Sequence, residues 1–175
     1  VQKSNQVLSD IDYYVEDTGI GNNPESFAES GNSMYFIDAY KGAVNRLSLD
    51  GINKVSNYGV RTFFNKELPK FISKNIWGVY DERFDSYIVS FPAVGDYTGY
   101  SISFHEPSNR WTSFYNFASE ASVTCGVNFI TFKRGVGYLH NQTGVSYCNF
   151  YGVQYPSSVQ IAFNENPSNI KVFKN

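Results

Sequence analysis

Short stretches of alternating apolar and polar residues recur along the chain, separated by residues that favour turns. The first group covers residues 33–39 (SMYFIDA), 43–48 (AVNRLS) and 52–56 (INKVS). The dipeptides Lys41-Gly42 and Asp50-Gly51 stand between its members. Alternation bounded by such dipeptides is typical of short antiparallel strands joined by hairpins. This part of the chain is therefore predicted to form an antiparallel meander.

Two further groups of strand-like stretches follow the first. The second group is predicted to contain strands at residues 76–80, 87–91, 100–105 and 110–114. The third group is predicted to contain strands at residues 127–132, 137–140, 145–151, 159–163 and 170–173. Clusters of Gly, Pro, Asn and Asp separate these strands, as expected for surface turns.

The periodicity changes between the first and second groups. Over roughly residues 60–74, apolar residues recur at helical spacing with charged residues between them. Pro69 lies inside this stretch and lacks the amide hydrogen that a helix interior requires. We therefore expect one short helix that breaks or kinks at Pro69.

Groups of about four strands at intervals of roughly 45 residues are typical of β-propeller blades. One twisted sheet cannot bury both of its faces alone, and stacking against neighbouring blades buries large flat side chains. We expect an all-β, propeller-like fold with about three four-stranded antiparallel blades, at residues 31–74, 75–120 and 121–175. An N-terminal extension and loop at residues 1–30 would precede them. A β-sandwich or an irregular antiparallel α+β domain is the alternative.

Closed propellers usually have at least four blades, so three blades would form a partial propeller. The chain also stops within the last predicted strand, at residues 170–175. We therefore expect either a partial propeller or a fragment of a larger one.

Composition agrees with a β-rich fold and excludes several function classes. Aromatic residues make up 18% of the chain, with 15 Phe and 14 Tyr, whereas Leu and Ala, which dominate helical domains, are scarce. A net charge of -2 gives no electrostatic reason to expect a nucleic-acid partner. The sequence contains no run of about 18 apolar residues that would predict a membrane span.

Few residues offer metal or cofactor chemistry. The loop at residues 19–24 (GIGNNP) begins like a phosphate-binding loop but lacks its third glycine and its strand-to-helix frame, so we expect an ordinary loop. His105 and His140 each end a predicted strand and belong to no metal-ligand spacing. Cys125 and Cys148 lie in apolar stretches and are expected to be buried, with a disulfide or a reactive thiol as the alternatives.

Carboxylates and tryptophans offer the remaining candidate chemistry. Asp81 and Asp85 flank a turn and could serve glycoside hydrolysis or bind a hard cation, although Asp in a turn normally bonds its own backbone. Trp77 and Trp111 could stack on sugars but are expected to pack in the core. We therefore assign no catalytic, cofactor-binding or metal-binding residue and expect no cofactor.

Several strings occur in a characteristic order over residues 12–173. They are GIGNNPESFA (19–28), YFIDAYKGAVNRLSLDG (35–51), VSNYGVRTFF (55–64), VYDERFDSYIVSF (79–91), ISFHEPSNRWTSFYNF (102–117), GYLHN (137–141), FYG (150–152) and FNENPSNIKVF (163–173). Together they resemble the β-propeller region of tail structural proteins of crAss-like and related podovirus-type phages, in the muzzle or tail-nozzle class. Val60, where this family is expected to have Met, and a longer polar loop at residues 92–100 leave the source phage or prophage open.

The resemblance implies a non-enzymatic virion protein that contacts other tail subunits in an oligomeric assembly, after synthesis in the bacterial cytoplasm. The loops at residues 19–24 and 164–167 could make such contacts. Charged residues form only 17% of the chain, which fits a surface covered by neighbours. The alternative is a carbohydrate-binding propeller that recognises cell-surface glycans. A weaker alternative is a glycoside hydrolase that uses Asp81 or Asp85.

Overall fold

Residues 17–160, which the computed structural model describes, form a succession of antiparallel sheets in chain order. The first sheet has four strands, each hydrogen-bonded to the next along the chain. They are β1 (Ala28–Ser30), β2 (Ser33–Asp38), β3 (Ala43–Ser48) and β4 (Gly51–Lys54). Gly42 and Gly51 adopt positive φ angles in the two predicted hairpin turns, which explains why glycine occurs there. The predicted meander is confirmed, with β1 as an additional edge strand that the pattern did not predict.

A short helix leads from the first sheet to the second. Helix α1 spans Arg61–Glu67, and a 3-10 turn at Leu68–Phe71 continues it with Pro69 in its first turn. The predicted break at Pro69 is confirmed, since proline is accepted only where its missing amide hydrogen costs no intrahelical bond. Phe64, Leu68 and Phe71 are buried against the sheets.

The second sheet repeats the order of the first. Its strands are β5 (Trp77–Asp81), β6 (Ser86–Phe91), β7 (Tyr100–His105) and β8 (Arg110–Tyr115), again paired consecutively. Their bounds agree with the predicted strands to within one residue at each end. Every residue of β6 is buried, because this sheet is covered on both of its faces.

The third group departs from the expected four-stranded blade. Within the described residues it forms a three-stranded sheet and a separate two-stranded ladder. The sheet contains β9 (Ala121–Cys125), β10 (Asn128–Lys133) and β11 (Val136–Leu139), and the ladder contains β12 (Asn149–Phe150) and β13 (Val153–Gln154).

Two features explain why the strands predicted for this group differ from those in the structure. The weakly apolar stretch of β9 gave no strand signal. The strand predicted at residues 145–151 is reduced to β12, because Cys148 and Tyr151 both adopt positive φ and interrupt the extended backbone. The strand predicted at residues 170–173 and most of the strand predicted at residues 159–163 lie outside the described residues.

Two apolar cores hold the three sheets in sequence order. The first core lies between the first and second sheets, where Tyr35 stacks on Tyr87 with ring centroids 4.8 Å apart. The second core lies between the second and third sheets and contains Val79, Ile88 and Phe129. The second sheet is therefore packed between its neighbours, and aromatic residues are buried between the sheets.

The first strands of the three sheets lie next to one another. Strand β5 contacts β1 on one side and β9 on the other. A Cβ atom on Gly78 in β5 would lie 2.0 Å from the carbonyl oxygen of Ser26, just before β1. On the other side, the hydroxyl of Thr124 in β9 donates a hydrogen bond to the carbonyl oxygen of Tyr80. Within residues 17–160 the sheets do not close into a ring.

Candidate interaction surfaces

Asp81 and Asp85, the candidate catalytic carboxylates, occupy different environments. Asp81 is buried, and its two carboxylate oxygens accept hydrogen bonds from the Arg83 amide (3.0 Å) and the Asn141 side chain (2.9 Å). Asp85 is exposed with a φ of 44°, and its backbone carbonyl accepts the Glu106 amide (2.9 Å). Asp81 thus has the turn-stabilising role expected of an Asp in a tight turn.

The two histidines have structural partners. Nδ1 of His105 lies 2.8 Å from the Ser108 hydroxyl, within the turn that follows β7. His140 stacks on Phe129 with centroids 4.5 Å apart, and its Nε2 lies 2.7 Å from the Thr131 hydroxyl. Burial lowers the pKa of His140 to about 4. Over residues 17–160, no cluster of three or more His, Cys, Asp or Glu side chains could hold a metal ion.

The cysteines and tryptophans divide between core and surface. Cys125 and Cys148 are free thiols, and Cys125 is exposed at the end of β9, so the prediction that it is buried is wrong. The prediction for Trp111 is confirmed: its ring packs on Phe64 with centroids 4.6 Å apart, and its Nε1 donates to the Val55 carbonyl (3.0 Å). Trp77 is half-buried at the start of β5.

The glycine-containing loop at residues 19–24 is bound to the first sheet. The carboxylate of Asp38 accepts hydrogen bonds from the Gly19 amide (3.1 Å) and the Thr18 hydroxyl (3.3 Å). The side chain of Asn22 donates to the Tyr40 hydroxyl (2.9 Å). These bonds attach the start of the loop to the end of β2 and to the turn that follows it.

A polar cluster joins the first and second sheets. The carboxylate of Glu106, in the turn between β7 and β8, accepts hydrogen bonds from the Tyr35 hydroxyl (2.5 Å) and the Arg46 guanidinium (2.5 Å). Burial and the Glu106 carboxylate raise the pKa of Tyr35 well above its usual range. No local sequence pattern predicts this cluster, because Arg46 and Tyr35 are 60 and 71 positions away from Glu106.

An open groove of about 480 Å³ lies on the second sheet, on the face that packs against the third sheet. Its walls combine charged, hydroxyl and aromatic side chains, including Arg83, Asp85, His105, Tyr115 and the exposed ring of Phe84. Hydrogen-bonding groups beside aromatic rings are the features by which proteins orient polar ligands such as sugars.

Among residues 17–160, the first and third sheets each carry partly or largely exposed apolar side chains on the face that points away from the second sheet. On the first sheet these side chains alternate with the buried Tyr35 and Ile37; on the third they alternate with the buried Phe129 and Thr131. The first-sheet face comprises Met34, Phe36, Leu47 and Ile52. The third-sheet face comprises Val123, Ile130, Phe132 and Leu139. Because side chains alternate across a strand, each face is the opposite side of a sheet that already packs within the chain.

Comparison with known protein families identifies two matches along the chain. Residues 3–135 match the family model for the Crassvirus muzzle protein. Residues 145–175 match the model for the Crassvirus muzzle protein C-terminal domain. A comparison with curated proteins finds no match to the chain. Among residues 17–160, no helix has the length and apolar character required to cross a membrane.

Proposed function

The chain belongs to the Crassvirus muzzle protein family, and we propose that it acts as a non-enzymatic propeller segment of a phage tail component. Family membership supports a structural, tail-associated role in a bacteriophage virion and assembly with other virion components. The finer proposal is that the three sheets are consecutive blades whose outer surfaces contact neighbouring tail subunits. The protein is made in the bacterial cytoplasm and is then incorporated into the virion.

The contact of β5 with both β1 and β9 carries the proposal of a propeller segment. In a propeller, each blade is a meander, and the first strands of successive blades lie together near the central axis. The first two sheets are such meanders, and they pack face to face through aromatic side chains. A β-sandwich, the alternative fold, has only two packed sheets, whereas three sheets are stacked here.

The environments of the candidate catalytic groups support a non-enzymatic role. Both carboxylate oxygens of Asp81 are bonded within the chain, and His140 is enclosed by aromatic rings. A general acid or base must reach the substrate proton that it transfers. The hydroxyl and carboxylate groups of the Tyr35–Glu106 pair are likewise engaged with each other.

Mass spectrometry of gradient-purified virions from a phage that encodes this chain tests the proposal. We expect its peptides to co-purify with portal and capsid proteins at a constant ratio across the virion peak. A phage replication protein, quantified in the same fractions, is the control and should be depleted there. If the peptides were abundant in the infected-cell lysate but depleted from virions like the control, the structural role would be wrong.

The groove beside Phe84 favours carbohydrate binding as a second candidate function. Glycan-array binding by the 175-residue chain, lost in Phe84→Ala but retained in Tyr97→Ala, would support it. Tyr97 is a matched control, because it is an exposed aromatic residue outside the groove. The hydrolase hypothesis has less support, since Asp81 is buried and already bonded to its neighbours.

A further inference from the structure

The two-stranded ladder of β12 and β13 is attached to the molecule by few contacts. It contains two residue pairs, and a two-stranded ladder is marginally stable by itself. Phe150 and Tyr151 pack on Phe117, with ring centroids 5.0 and 6.2 Å apart. Within residues 17–160, the Tyr151 hydroxyl is the one side-chain group of the ladder that makes a hydrogen bond outside residues 147–155.

The Tyr151 hydroxyl begins a chain of hydrogen bonds that ends at His140. It donates to the Thr131 hydroxyl oxygen, 3.0 Å away, and that oxygen lies 2.7 Å from Nε2 of His140. Because a hydroxyl group carries one hydrogen, Thr131 accepts from Tyr151 and donates its own hydrogen to Nε2. This direction requires Nε2 without a hydrogen, so His140 is the neutral tautomer with its hydrogen on Nδ1.

A second proton on His140 is incompatible with this arrangement. The His140 ring stacks on Phe129 and lies 4.9 Å from Phe117, so the charge would lie between apolar rings. A hydrogen on Nε2 would also point at the Thr131 oxygen. The Thr131 hydroxyl is fully buried, and its own hydrogen would then lose its acceptor. Burial accordingly lowers the pKa of His140 to about 4.

The rings around His140 offer no negative charge. Within the described part of the chain, its ring neighbours are Phe117, Phe129, Phe150 and Tyr151, of which only Tyr151 titrates. Burial raises the pKa of Tyr151, which therefore stays neutral below its usual range. The ring that contacts Tyr151 from β11 is a further neutral tyrosine, Tyr138.

The charged groups of the elements packed against His140 have other partners. Lys133 of β10 and Glu120, just before β9, form an ion pair with each other at 3.4 Å. In the turn between β5 and β6, Arg83 donates to the carbonyl of Asn141, and the carboxylate of Asp81 accepts from the Asn141 side chain. Strands β11, β12 and β13 contain no charged residue. A proton on His140 therefore lacks a dedicated counter-ion among these groups.

We infer that the Tyr151–Thr131–His140 chain is a proton-sensitive attachment, and that protonation of His140 releases residues 149–155 from the third sheet while the first and second sheets stay folded. Release uncovers the side of the second core on which Phe150 and Tyr151 pack, whereas the first core contains none of these residues. Thr131 lies in the first region of the family match and the ladder in the second, so release separates the two.

The attachment should weaken over a defined pH range. In the released state His140 is in water with its ordinary pKa of 6.5, whereas the attached state has the lowered value. Protons therefore bind the released state more readily. Attachment is complete above pH 6.5, weakens as the pH falls toward 4, and changes no further below that. Across this range the equilibrium between attached and released states changes by at most about 300-fold.

Hydrogen–deuterium exchange of the 175-residue chain between pH 4 and pH 7, corrected for the intrinsic effect of pH on exchange, measures the release. We expect the protection of amides in residues 149–155 to fall by up to about 300-fold toward pH 4. Strand β6 should stay more protected than the ladder at every pH. His140→Gln should abolish the fall, because glutamine is neutral throughout and its side-chain oxygen can accept from Thr131.

Ladder protection that does not vary with pH would overturn the inference. Equal protection of the ladder and of β6 would also overturn it, because the ladder would then be released only by global unfolding. These results are independent of the virion role, since every contact in the attachment lies within one chain.

The direction of the hydrogen bonds is tested separately. Nuclear magnetic resonance of the imidazole nitrogens at pH 7 should show the hydrogen of His140 on Nδ1, and a hydrogen on Nε2 would contradict the chain. Thr131→Val should lower ladder protection already at pH 7, whereas Thr131→Ser, which keeps the hydroxyl, should retain it. Equal protection in these two variants would contradict the attachment. If circular dichroism shows that Thr131→Val does not fold, Tyr151→Phe removes the first bond and keeps the ring.

Discussion

The close approach of β5 to the segment before β1 depends on one residue, Gly78. Gly78→Ala would place its Cβ atom 2.0 Å from the Ser26 carbonyl oxygen and 2.8 Å from the Tyr87 hydroxyl oxygen. Because backbone would have to move, we expect the free energy of unfolding to fall by about 3 kcal/mol or more. Urea denaturation followed by tyrosine and tryptophan fluorescence measures the change.

Gly19→Ala is the control for this substitution. A Cβ atom on Gly19 would meet no atom within 4 Å, so its effect should stay within about 0.5 kcal/mol. Equal stabilities for the two variants would show that β5 and the Ser26 segment are farther apart than described.

His140 makes stability depend on pH in a defined range. Its pKa is lowered from 6.5 to about 4 by burial, so the unfolded chain binds this proton more readily than the folded chain. The contribution of His140 to the free energy of unfolding is therefore complete above pH 6.5. It falls as the pH drops toward 4 and does not change further below that. The loss from this residue amounts to about 3 kcal/mol at most.

Urea denaturation of the wild-type chain and of His140→Gln between pH 4 and pH 7 isolates this contribution. The stability difference between the two proteins should shift in favour of the variant as the pH falls. A difference between wild type and His140→Gln that does not vary with pH would contradict the enclosure of His140 by Phe117 and Phe129.

At the level of strands and turns, Glu106 connects the second sheet to two strands of the first. Glu106→Ala leaves the Arg46 guanidinium and the Tyr35 hydroxyl without their shared acceptor. Their side chains are largely buried, so the free energy of unfolding should fall by about 2 kcal/mol. Thermal and urea denaturation of the variant check this value.

A double-mutant cycle of Glu106→Ala with Tyr35→Phe separates the bond from other effects. We expect a coupling of about 1 kcal/mol, whereas strictly additive effects would contradict the contact between the two sheets. Asp17→Asn, which removes an exposed ion pair with Lys41, is the control and should cause no measurable change in stability.

Local sequence signals predicted most elements of the first two sheets. The first sheet has hairpins with glycine at positive φ, and the helix breaks at Pro69. Both features depend on neighbouring residues alone, so the local sequence was sufficient to predict them. Strand β9 was missed because its exposed positions include polar and small residues. The strand predicted at residues 145–151 failed because apolar content did not reveal the positive φ of Cys148 and Tyr151.

The candidate surfaces could be predicted only in part. The roles of Asp81 in a turn and of Trp111 in the core were anticipated from residue type and spacing. The Glu106 cluster joins residues from two different sheets, and contacts between sheets are not encoded in any local window of the sequence. The apolar neighbours of Cys125 predict that it is buried, but a local sequence pattern does not show which face of a sheet is exposed, and Cys125 lies on an exposed one.

Considered as a whole, residues 17–160 form a stack of sheets in chain order, with partly exposed apolar side chains on the outward faces of the first and third sheets. Burying the aromatic residues between sheets stabilises the stack, and the same chemistry would extend it. Membership of the muzzle family, the adjacent first strands and the exposed apolar side chains among residues 17–160 all favour a part that functions within a larger assembly.

Cryo-electron microscopy of the tail of a virion that carries this chain tests the central proposal most directly. At a resolution that separates β-strands, we expect residues 17–160 in the tail as three successive sheets around one axis, with β1, β5 and β9 nearest to it. We also expect further sheets against both the first-sheet and third-sheet faces. Sheets in the tail density that share no axis, with both faces open to solvent, would contradict it.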